Sequence, residues 1–487
     1  MNSYLRKIIN YSAGSIANKV LLLLLLPMFS KFMLPAEYAV YTNIMLFFSF
    51  AGLIYILGIQ QALFSYYNAQ KTDDYRVKLI SSVFITILIS GAVFTALIMI
   101  FSKYLSLWLV RDTAYSSLFC WIGITLFFNN ITSICLSLLN VMERSGNYVI
   151  LGFTQNSIFF LLLVAGGIFG IMGIKYVFIS LLISTIIGSL TGIFIIGNIY
   201  KKIPGAKLGV FSKNVMLPLI KFGLIMIPGT IAMIILRAAD RLMLAHLSAS
   251  DVLDAMHNVG IYAMSYKIGA IMQFLIALIS TVFLPYAMRI ADKDKAPEIY
   301  RLMFSYFLWG GGILGFFIIL FSPEIFVLLI DPAYIKAAQI TFIGVISTYL
   351  QGIFNLISVI FYARKRAGNI ATAVILGALI NIALNFLLIP LYGIYGAGAA
   401  SIIAYLAIVI YNYAYAQIKY KPDFCINYLL VTLPILGISA VAVNLMPVSL
   451  MSSIMKVIFS LIMCGAVIYM LYIKQSFAKF RAIIRKD

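Results

Sequence analysis

The chain has 487 residues, of which 63% are hydrophobic and only 10% are charged, and its formal net charge is +20. Soluble domains carry roughly 25% charged residues, so this composition excludes a chain made of ordinary soluble domains. It indicates instead a protein that lies within a membrane along most of its length.

Long apolar runs follow one another from the first residues to the last. A helix needs about 20 apolar residues to cross roughly 30 Å of hydrocarbon, and fourteen stretches reach this length. The alternating pattern of a porin is absent, so the runs are helices. They lie at about 11–33, 39–62, 78–101, 113–140, 147–170, 175–199, 216–247, 258–288, 299–320, 335–362, 369–391, 395–417, 425–446 and 451–474. The sequence therefore predicts an all-α integral membrane protein with about 14 transmembrane helices.

Basic residues are distributed unequally between the predicted loops. With both termini in the cytoplasm, twenty-five of the 35 Lys and Arg residues lie on the cytoplasmic side, five outside and five within spans. The positive-inside rule predicts this asymmetry. Because basic loops facing anionic lipid explain the net charge, we expect membrane lipids as partners and no nucleic acid.

The sequence repeats itself after about 222 residues. This shift aligns Arg144-Ser-Gly-Asn147 with Arg366-Ala-Gly-Asn369, and one further residue aligns Gly170-Ile-Met-Gly173 with Gly393-Ile-Tyr-Gly396. Six helices separate the copies, so both enter the membrane in the same direction, as in many alternating-access transporters. Chance similarity between apolar segments is the alternative. The repeat predicts two parallel six-helix lobes plus two C-terminal helices: an N-terminal lobe at 1–205, a C-terminal lobe at 206–420, and helices 13 and 14 with a basic cytoplasmic tail at 421–487.

Three ionised residues, Arg237, Asp240 and Arg241, interrupt the apolar run that ends near Leu247. A charge at the bilayer centre costs roughly 2.5–3.5 kcal/mol on insertion scales, and such residues usually face a bundle interior or a water-filled cavity. The group carries a net charge of +1 and can attract an anion. The alternative is that Asp240 only neutralises two arginines in a cluster that holds the helix to a neighbour.

Three lysines also lie within predicted spans. Lys19 shares a stripe of the first helix with Ser12 and Ser15 and is deep in the span. Lys19 and Lys267 either face a cavity or extend their amines to the membrane surface, whereas the position of Lys456 near the outer end of the last span predicts an anchor at that surface.

Two pairs of amide side chains are four residues apart and therefore share a helix face: Gln351 with Asn355, and Asn381 with Asn385. Such amides either contact the hydroxyl groups of a glycan or form hydrogen bonds that hold helices together.

No catalytic site is predicted. The Gly-Ala-Gly at 396–398 opens a membrane helix without a preceding strand or a P-loop lysine, and no predicted soluble segment exceeds about twenty residues. An ATPase domain does not fit in such loops. Membrane glycosyltransferases and polymerases would carry large loops with carboxylates. We expect a protein that is not an enzyme, with no cofactor and no metal.

Two segments carry a resemblance to a known family. Leu26-Pro-Met-Phe-Ser-Lys-Phe-Met-Leu-Pro-Ala-Glu-Tyr38, and Ala239-Asp240-Arg241-Leu-Met-Leu with Gly260-Ile-Tyr262, resemble the polysaccharide-repeat flippases of the Wzx type. These belong to the multidrug/oligosaccharidyl-lipid/polysaccharide exporter superfamily. Ala39 stands where those proteins commonly have glycine, and relatives such as lipid II flippases share the motifs.

This resemblance implies a flippase that moves undecaprenyl-diphosphate-linked oligosaccharide across the bacterial cytoplasmic (inner) membrane for surface polysaccharides such as O-antigen or capsule. Lys19, Arg237, Arg241 and Lys267 would attract the diphosphate into the cleft between the lobes. Asp240 would form an ion pair or couple transport to H⁺ or Na⁺, with the membrane potential as the other energy source. The polysaccharide polymerase and chain-length machinery are the expected protein partners.

Two other functions stay open. A drug or small-cation exporter on the same fold would need acidic residues inside the lobes, and these spans hold one carboxylate against at least three deep basic groups. That balance favours an anionic cargo. A structural membrane protein without transport would have to explain the repeat and the arginines by packing alone.

Overall fold

The structure is a computed structural model that describes residues 21, 23–67, 72–204, 209–277, 279, 287, 290, 296–364, 366–420, 422, 424–446 and 449–473. These residues form α-helices without strands. The helices are α1 (Leu26–Phe32), α2 (Pro35–Ile56), α3 (Ile59–Tyr66), α4 (Asp73–Ile100), α5 (Ser102–Val110), α6 (Ser116–Val141), α7 (Ser145–Ile168), α8 (Ile174–Tyr200), α9 (Lys213–Leu247), α10 (Val252–Gly269), α11 (Ala296–Leu320), α12 (Ser322–Leu329), α13 (Lys336–Ala363), α14 (Ala367–Tyr420), α15 (Leu429–Leu445) and α16 (Leu450–Ile473). The predicted all-α fold is confirmed.

Ten helical segments of the described residues are long and apolar enough to cross a membrane. They correspond to eleven of the fourteen predicted spans, because α14 covers two of them. Its 54 residues include Gly393, whose φ of 54° and ψ of −125° are not helical, so the chain breaks there into two helices. The predicted spans at 11–33, 258–288 and 451–474 lie only partly within the described residues.

Local sequence explains where several helices begin and end. Pro35 occupies the first turn of α2, where its missing N–H is not needed, and the Leu34 N–H donates to the Glu37 carboxylate at 3.4 Å. α2 ends at Ile56, and the two residues after it are left-handed: Leu57 has a φ of 53° and Gly58 a φ of 66°. These two residues turn the chain directly into α3.

The chain divides into two compact units, Met1–Gly260 and Ile261–Asp487. In the first unit, α6 is the central helix and packs against α2, α3, α4, α7 and α8. α9 also belongs to this unit, where it packs against α2, α3, α4 and α5.

The second unit is built around α13, which contacts α11, α14 and α15. Of its most apolar 18-residue window, 89% is buried, the highest share among the candidate spans. The lobes expected from the repeat divide the chain differently. They are defined by sequence similarity, whereas the two units are defined by contacts between residues. The lobes stay a prediction.

The two copies of the Arg-x-Gly-Asn motif have the same backbone hydrogen bond. The Arg144 N–H donates to the Leu139 carbonyl at 2.9 Å, and the Arg366 N–H donates to the Phe361 carbonyl at 2.8 Å. Each bond spans five residues and closes the last turn of the preceding helix, as in a Schellman motif. In the first copy, Glu143 supplies the left-handed residue that this motif requires, with a φ of 55°.

Candidate functional site

α9 carries the predicted cationic group. It has 35 residues, about 52 Å at 1.5 Å per residue, and therefore exceeds the length of a membrane span. The uncharged stretch between Lys221 and Arg237 covers only residues 222–236, about 22 Å. Because hydrocarbon is roughly 30 Å thick, Lys221 and Arg237 cannot both lie outside it when α9 crosses the bilayer upright. In that orientation, the backbone of at least one of these two residues lies at the depth of the hydrocarbon.

The three ionised residues of α9 differ in their surroundings. The Arg237 side chain is exposed, that of Arg241 is half-buried, and Asp240 is only 2% exposed. An Asp240 carboxylate oxygen, Oδ1, accepts the Arg241 backbone N–H at 2.9 Å. The geometry therefore buries the one carboxylate and leaves the Arg237 cation accessible.

Tyr38 lies beside this group. Its side chain is fully buried, and Arg241 is close enough to interact with it electrostatically. The Tyr38 ring is 5.9 Å from the ring of Tyr41 and 6.2 Å from that of Phe29, measured between centroids. Sequence reasoning did not assign Tyr38 to the site, although it closes the first family-like segment.

Gly260 makes a backbone contact with the same region. A Cβ atom at this position would overlap the Pro35 carbonyl, so only glycine allows α10 to approach the start of α2 this closely. This contact, and the electrostatic interaction between Arg241 and Tyr38, bring residues from each of the three family-like segments close together within unit 1. Their association in space is a finding that spacing alone did not predict.

The carboxyl end of α9 is held by an arginine from elsewhere in unit 1. Arg111 Nη1 donates to the Ala245 carbonyl at 3.1 Å and lies 3.5 Å from that of Ala249, while its Nη2 lies 3.5 Å from the Ser250 carbonyl. A cation at the last carbonyl groups of a helix also interacts favourably with the helix dipole. This contact fixes the end of the helix that positions Arg237 and Arg241.

Two predicted cations cannot be added to this group. Lys19 lies outside the described residues. Lys267 belongs to unit 2, at the end of α10, and its side chain is exposed. Their roles in attracting an anion stay predictions.

The predicted amide residues lie in unit 2 and are mostly buried. Gln351 accepts a hydrogen bond from Gln273 at 2.6 Å, whereas Asn355 is half-buried. The Asn381 Nδ2 donates to Ser401 at 3.3 Å, and the Asn385 Nδ2 donates to the Asn381 Oδ1 at 3.1 Å. Because Asn381 and Ser401 stand on opposite sides of the Gly393 break, the first bond joins the two parts of α14, whereas the second lies within the first part. Such contacts are those of the helix-packing alternative, and a glycan contact stays a prediction.

The prediction of a surface anchor at Lys456 is wrong. The Lys456 ammonium, Nζ, is 2.7 Å from Glu324 Oε1, its side chain is fully buried, and Ser453 donates to the same oxygen at 3.1 Å. The carboxylate comes from α12, far away in the sequence. Lys456 therefore pairs inside unit 2 instead of extending to the membrane surface.

Solved structures of transporters share this fold. A structure of the lipid II flippase MurJ in an inward closed conformation aligns with a TM-score of 0.74 and 16% identity, covering 95% of this chain and all of that one. An inward-facing multidrug resistance MATE family transporter of the MOP superfamily aligns with a TM-score of 0.69 and 12% identity, covering 83% of this chain and 96% of that one. At these identities the likeness is one of fold.

Sequence comparison adds a relative and a family. The uncharacterized membrane protein MJ1068 of Methanocaldococcus jannaschii is 24% identical over 302 residues, covering 60% of this chain and 56% of that protein. The chain thus matches little more than half the length of this curated relative. The model of a family described as "Polysaccharide biosynthesis protein" matches residues 4–291, more than half of the chain. The resemblance carried by the motifs is confirmed, and this multi-pass membrane protein belongs to the polysaccharide biosynthesis protein family.

Proposed function

We propose that the protein is a flippase that moves undecaprenyl-diphosphate-linked oligosaccharide repeat units across the cytoplasmic membrane by alternating access. The observation that carries this proposal is the placement of Arg237 and Arg241 on an apolar helix of a chain from a polysaccharide biosynthesis family. A diphosphate needs cations within the membrane, and these two residues supply them.

The arrangement of charge supports an anionic cargo. Arg237 is exposed, while the neighbouring carboxylate of Asp240 is buried, so the accessible charge of the group is positive. Arginine suits this role because its guanidinium presents a planar set of donors that matches phosphate oxygens. In this proposal Lys19 and Lys267 add further cations, and amide and tyrosine side chains contact the glycan.

The route of transport follows from the same proposal. The diphosphate and sugars would cross through a polar cleft, while the prenyl tail stays in lipid, and rocking of two lobes would open the cleft to each side in turn. The membrane potential, or a gradient of H⁺ or Na⁺, would supply the energy. The polymerase and chain-length machinery would then receive the repeat unit at the outer leaflet of the bacterial inner membrane.

The test is the leaflet distribution of lipid-linked oligosaccharides in cells that lack the protein. An impermeant glycan label should detect them mainly at the cytoplasmic face after deletion, and wild type should restore outer labelling. Arg241→Ala should lower the restored flipping by about tenfold or more, since a charge-assisted hydrogen bond is worth about 1.5–3 kcal/mol. Arg241→Lys should retain part of it because the charge remains.

A matched control removes a cation outside the proposed path. Lys336 is exposed at the start of α13, so Lys336→Ala should restore outer labelling as well as wild type does. An unchanged glycan distribution combined with new sensitivity to toxic cations would favour the cation exporter. Accumulation of lipid II, with other glycans unaffected, would identify a lipid II flippase instead.

A further inference from the structure

Two adjacent cavities lie in unit 1, at helix ends that the predicted topology assigns to the cytoplasmic side. The larger has a volume of about 450 Å³ and is lined by residues before and in the first turn of α4, around the turn between α6 and α7, and around the end of α8. The smaller has a volume of about 290 Å³ and lies against α7 and α8. Both are lined by Arg144 and Lys202, which therefore stand between them. We call the two together the paired cavity.

The paired cavity is cationic. Besides Arg144 and Lys202, its larger part is lined by Arg76 and by one acidic residue, Glu143. Arg76 is 3.9 Å from Asp73, a long ion pair that leaves most of its donors available. Its Nε is buried without an acceptor among the residues that the structure describes. Among the described lining residues, three cations stand against one carboxylate, and this balance favours an anion.

Neutral donors surround the same space. Asn147 and Asn198 line the smaller part. Tyr67 lines the larger part, and the guanidinium carbon of Arg76 lies over the Tyr67 ring, 5.7 Å from the ring centroid. Burial raises the pKa of the Tyr67 phenol, against the influence of Arg76 and Arg144, so it is protonated at neutral pH and can donate. Guanidinium, ammonium, amide and phenol groups together match the oxygens of a phosphate.

The smaller cavity also opens onto an apolar helix face. Phe194 lines it and is 69% exposed, and Leu190, Ile187 and Ile183 continue along the same side of α8 at helical spacing. An amphiphile could place its charged end among the cations and its tail along this stripe. A soluble anion would make no use of it.

We propose that the paired cavity binds the phosphate-bearing headgroup of a lipid from the cytoplasmic leaflet. The chemistry has two sources, the diphosphate of a prenyl-linked lipid and the phosphate of an anionic phospholipid. The first would be a capture step that rests on the proposed function, and the second would be independent of it. In either case the site is distinct from Arg237 and Arg241, which lie near the opposite end of the membrane helices.

The experiment measures lipid binding by the purified full-length protein without any transport. The probes are undecaprenyl diphosphate and phosphatidylglycerol, each measured against phosphatidylcholine. The variant is Arg144→Gln with Lys202→Gln. The matched control is Lys201→Gln with Lys213→Gln, which removes the same charge from two exposed residues that line neither cavity.

The cavity variant should bind at least one of the two probes about 25-fold more weakly, because a basic residue contributes about 1 kcal/mol to the binding of anionic lipid and two are removed. The control should keep its affinity to within about twofold, as surface charge away from the headgroup is screened. Loss for one probe identifies the source, and loss for both shows that the phosphate alone is recognised. Equal loss in variant and control, or no loss in the variant, would overturn the proposal.

A second measurement does not depend on how the variant folds. Inorganic pyrophosphate should displace the bound probe from wild-type protein, and this displacement should weaken as salt rises, because the contact is between charges. Failure of pyrophosphate to compete at low salt would count against a phosphate site. Because neither experiment involves flipping, a negative result would leave the proposed function in place.

Discussion

At the residue scale, the buried carboxylate beside two arginines poses a choice between ion coupling and charge compensation. Asp240 is 2% exposed and accepts the Arg241 N–H, which are the properties of a group that stabilises its neighbours. We therefore predict that Asp240→Asn lowers the free energy of unfolding by about 2 kcal/mol, the scale of a hydrogen bond to a charged group. The dependence of flipping on H⁺ or Na⁺ gradients should not change.

The measurement pairs thermal unfolding in detergent with flipping in proteoliposomes under imposed gradients. Asp251→Asn, at an exposed position before α10, removes an exposed charge but keeps a side-chain oxygen that can accept the Asp254 N–H, so it should alter neither quantity. If Asp240→Asn keeps wild-type stability but loses a gradient dependence, the carboxylate couples transport and compensation is the wrong explanation.

A second residue-scale prediction concerns the buried pair of Lys456 and Glu324. Lys456→Met removes the ammonium that lies 2.7 Å from the carboxylate, whose side chain is only 15% exposed. A buried charge left without its partner destabilises a protein by about 3–5 kcal/mol. The single variant should thus unfold at a clearly lower temperature than wild type.

The double variant Lys456→Met with Glu324→Gln should recover most of that stability, because no unpaired charge remains. Heating the purified proteins and measuring the fraction that still elutes as a monodisperse peak gives both values. Single and double variants of equal stability would mean that the pair contributes nothing through its charge.

At the scale of elements, the backbone of α9 packs directly against the backbone of the turn between α2 and α3. A Cβ atom on Gly223 would overlap the Leu57 carbonyl, and one on Gly58 would overlap the Gly223 carbonyl. Gly223→Ala should therefore push α9 away from the turn between α2 and α3 and lower stability by about 1–3 kcal/mol, the cost of overpacking.

Gly197→Ala is the matched control within another spanning helix. Among the residues that the structure describes, no atom beyond the neighbouring residues and backbone of α8 lies within 4 Å of a Cβ at Gly197, so alanine should be neutral or stabilise α8 by about 0.5–1 kcal/mol through its higher helix propensity. Thermal unfolding of both variants decides the matter. Similar changes in the two would show that helix propensity, and not the contact with Leu57 and Gly58, controls the result.

The segments that the predicted repeat aligns share backbone features at the scale of elements. Arg144 and Arg366 close their helices with equivalent hydrogen bonds, and Gly170 and Gly393 both have positive φ values. These positions match because a helix end and a sharp break require particular backbone geometry, whereas aliphatic positions along a span accept many residues. The side chain of Arg144 is then available for the paired cavity.

At the scale of the whole molecule, properties that depend on nearby residues could be predicted from the sequence, and properties that depend on distant ones could not. The spans were predictable because hydropathy over about 20 residues decides insertion. The ionised group of α9 was found for the same reason.

Contacts between residues far apart in the sequence were not predicted. The partner of Lys456 was missed because Glu324 lies 132 residues away, and Tyr38 was not placed beside Arg241 because only folding brings them together. Arg144 and Lys202 were visible as basic loop residues, but no periodicity predicts a shared cavity.

The final prediction concerns the energy for net transport by the whole molecule. No nucleotide-binding segment was predicted, and a diphosphate carrying two negative charges gains about 4.6 kcal/mol per 100 mV on moving outward along a potential that is negative inside. We expect reconstituted protein to move the labelled oligosaccharide lipid outward when valinomycin and a K⁺ gradient impose this potential, to equilibrate it without a potential, and to move it inward when the potential is reversed. A neutral lipid-linked oligosaccharide should not respond. Unidirectional flipping that is indifferent to the potential and follows a Na⁺ or H⁺ gradient would show instead that an ion drives the step.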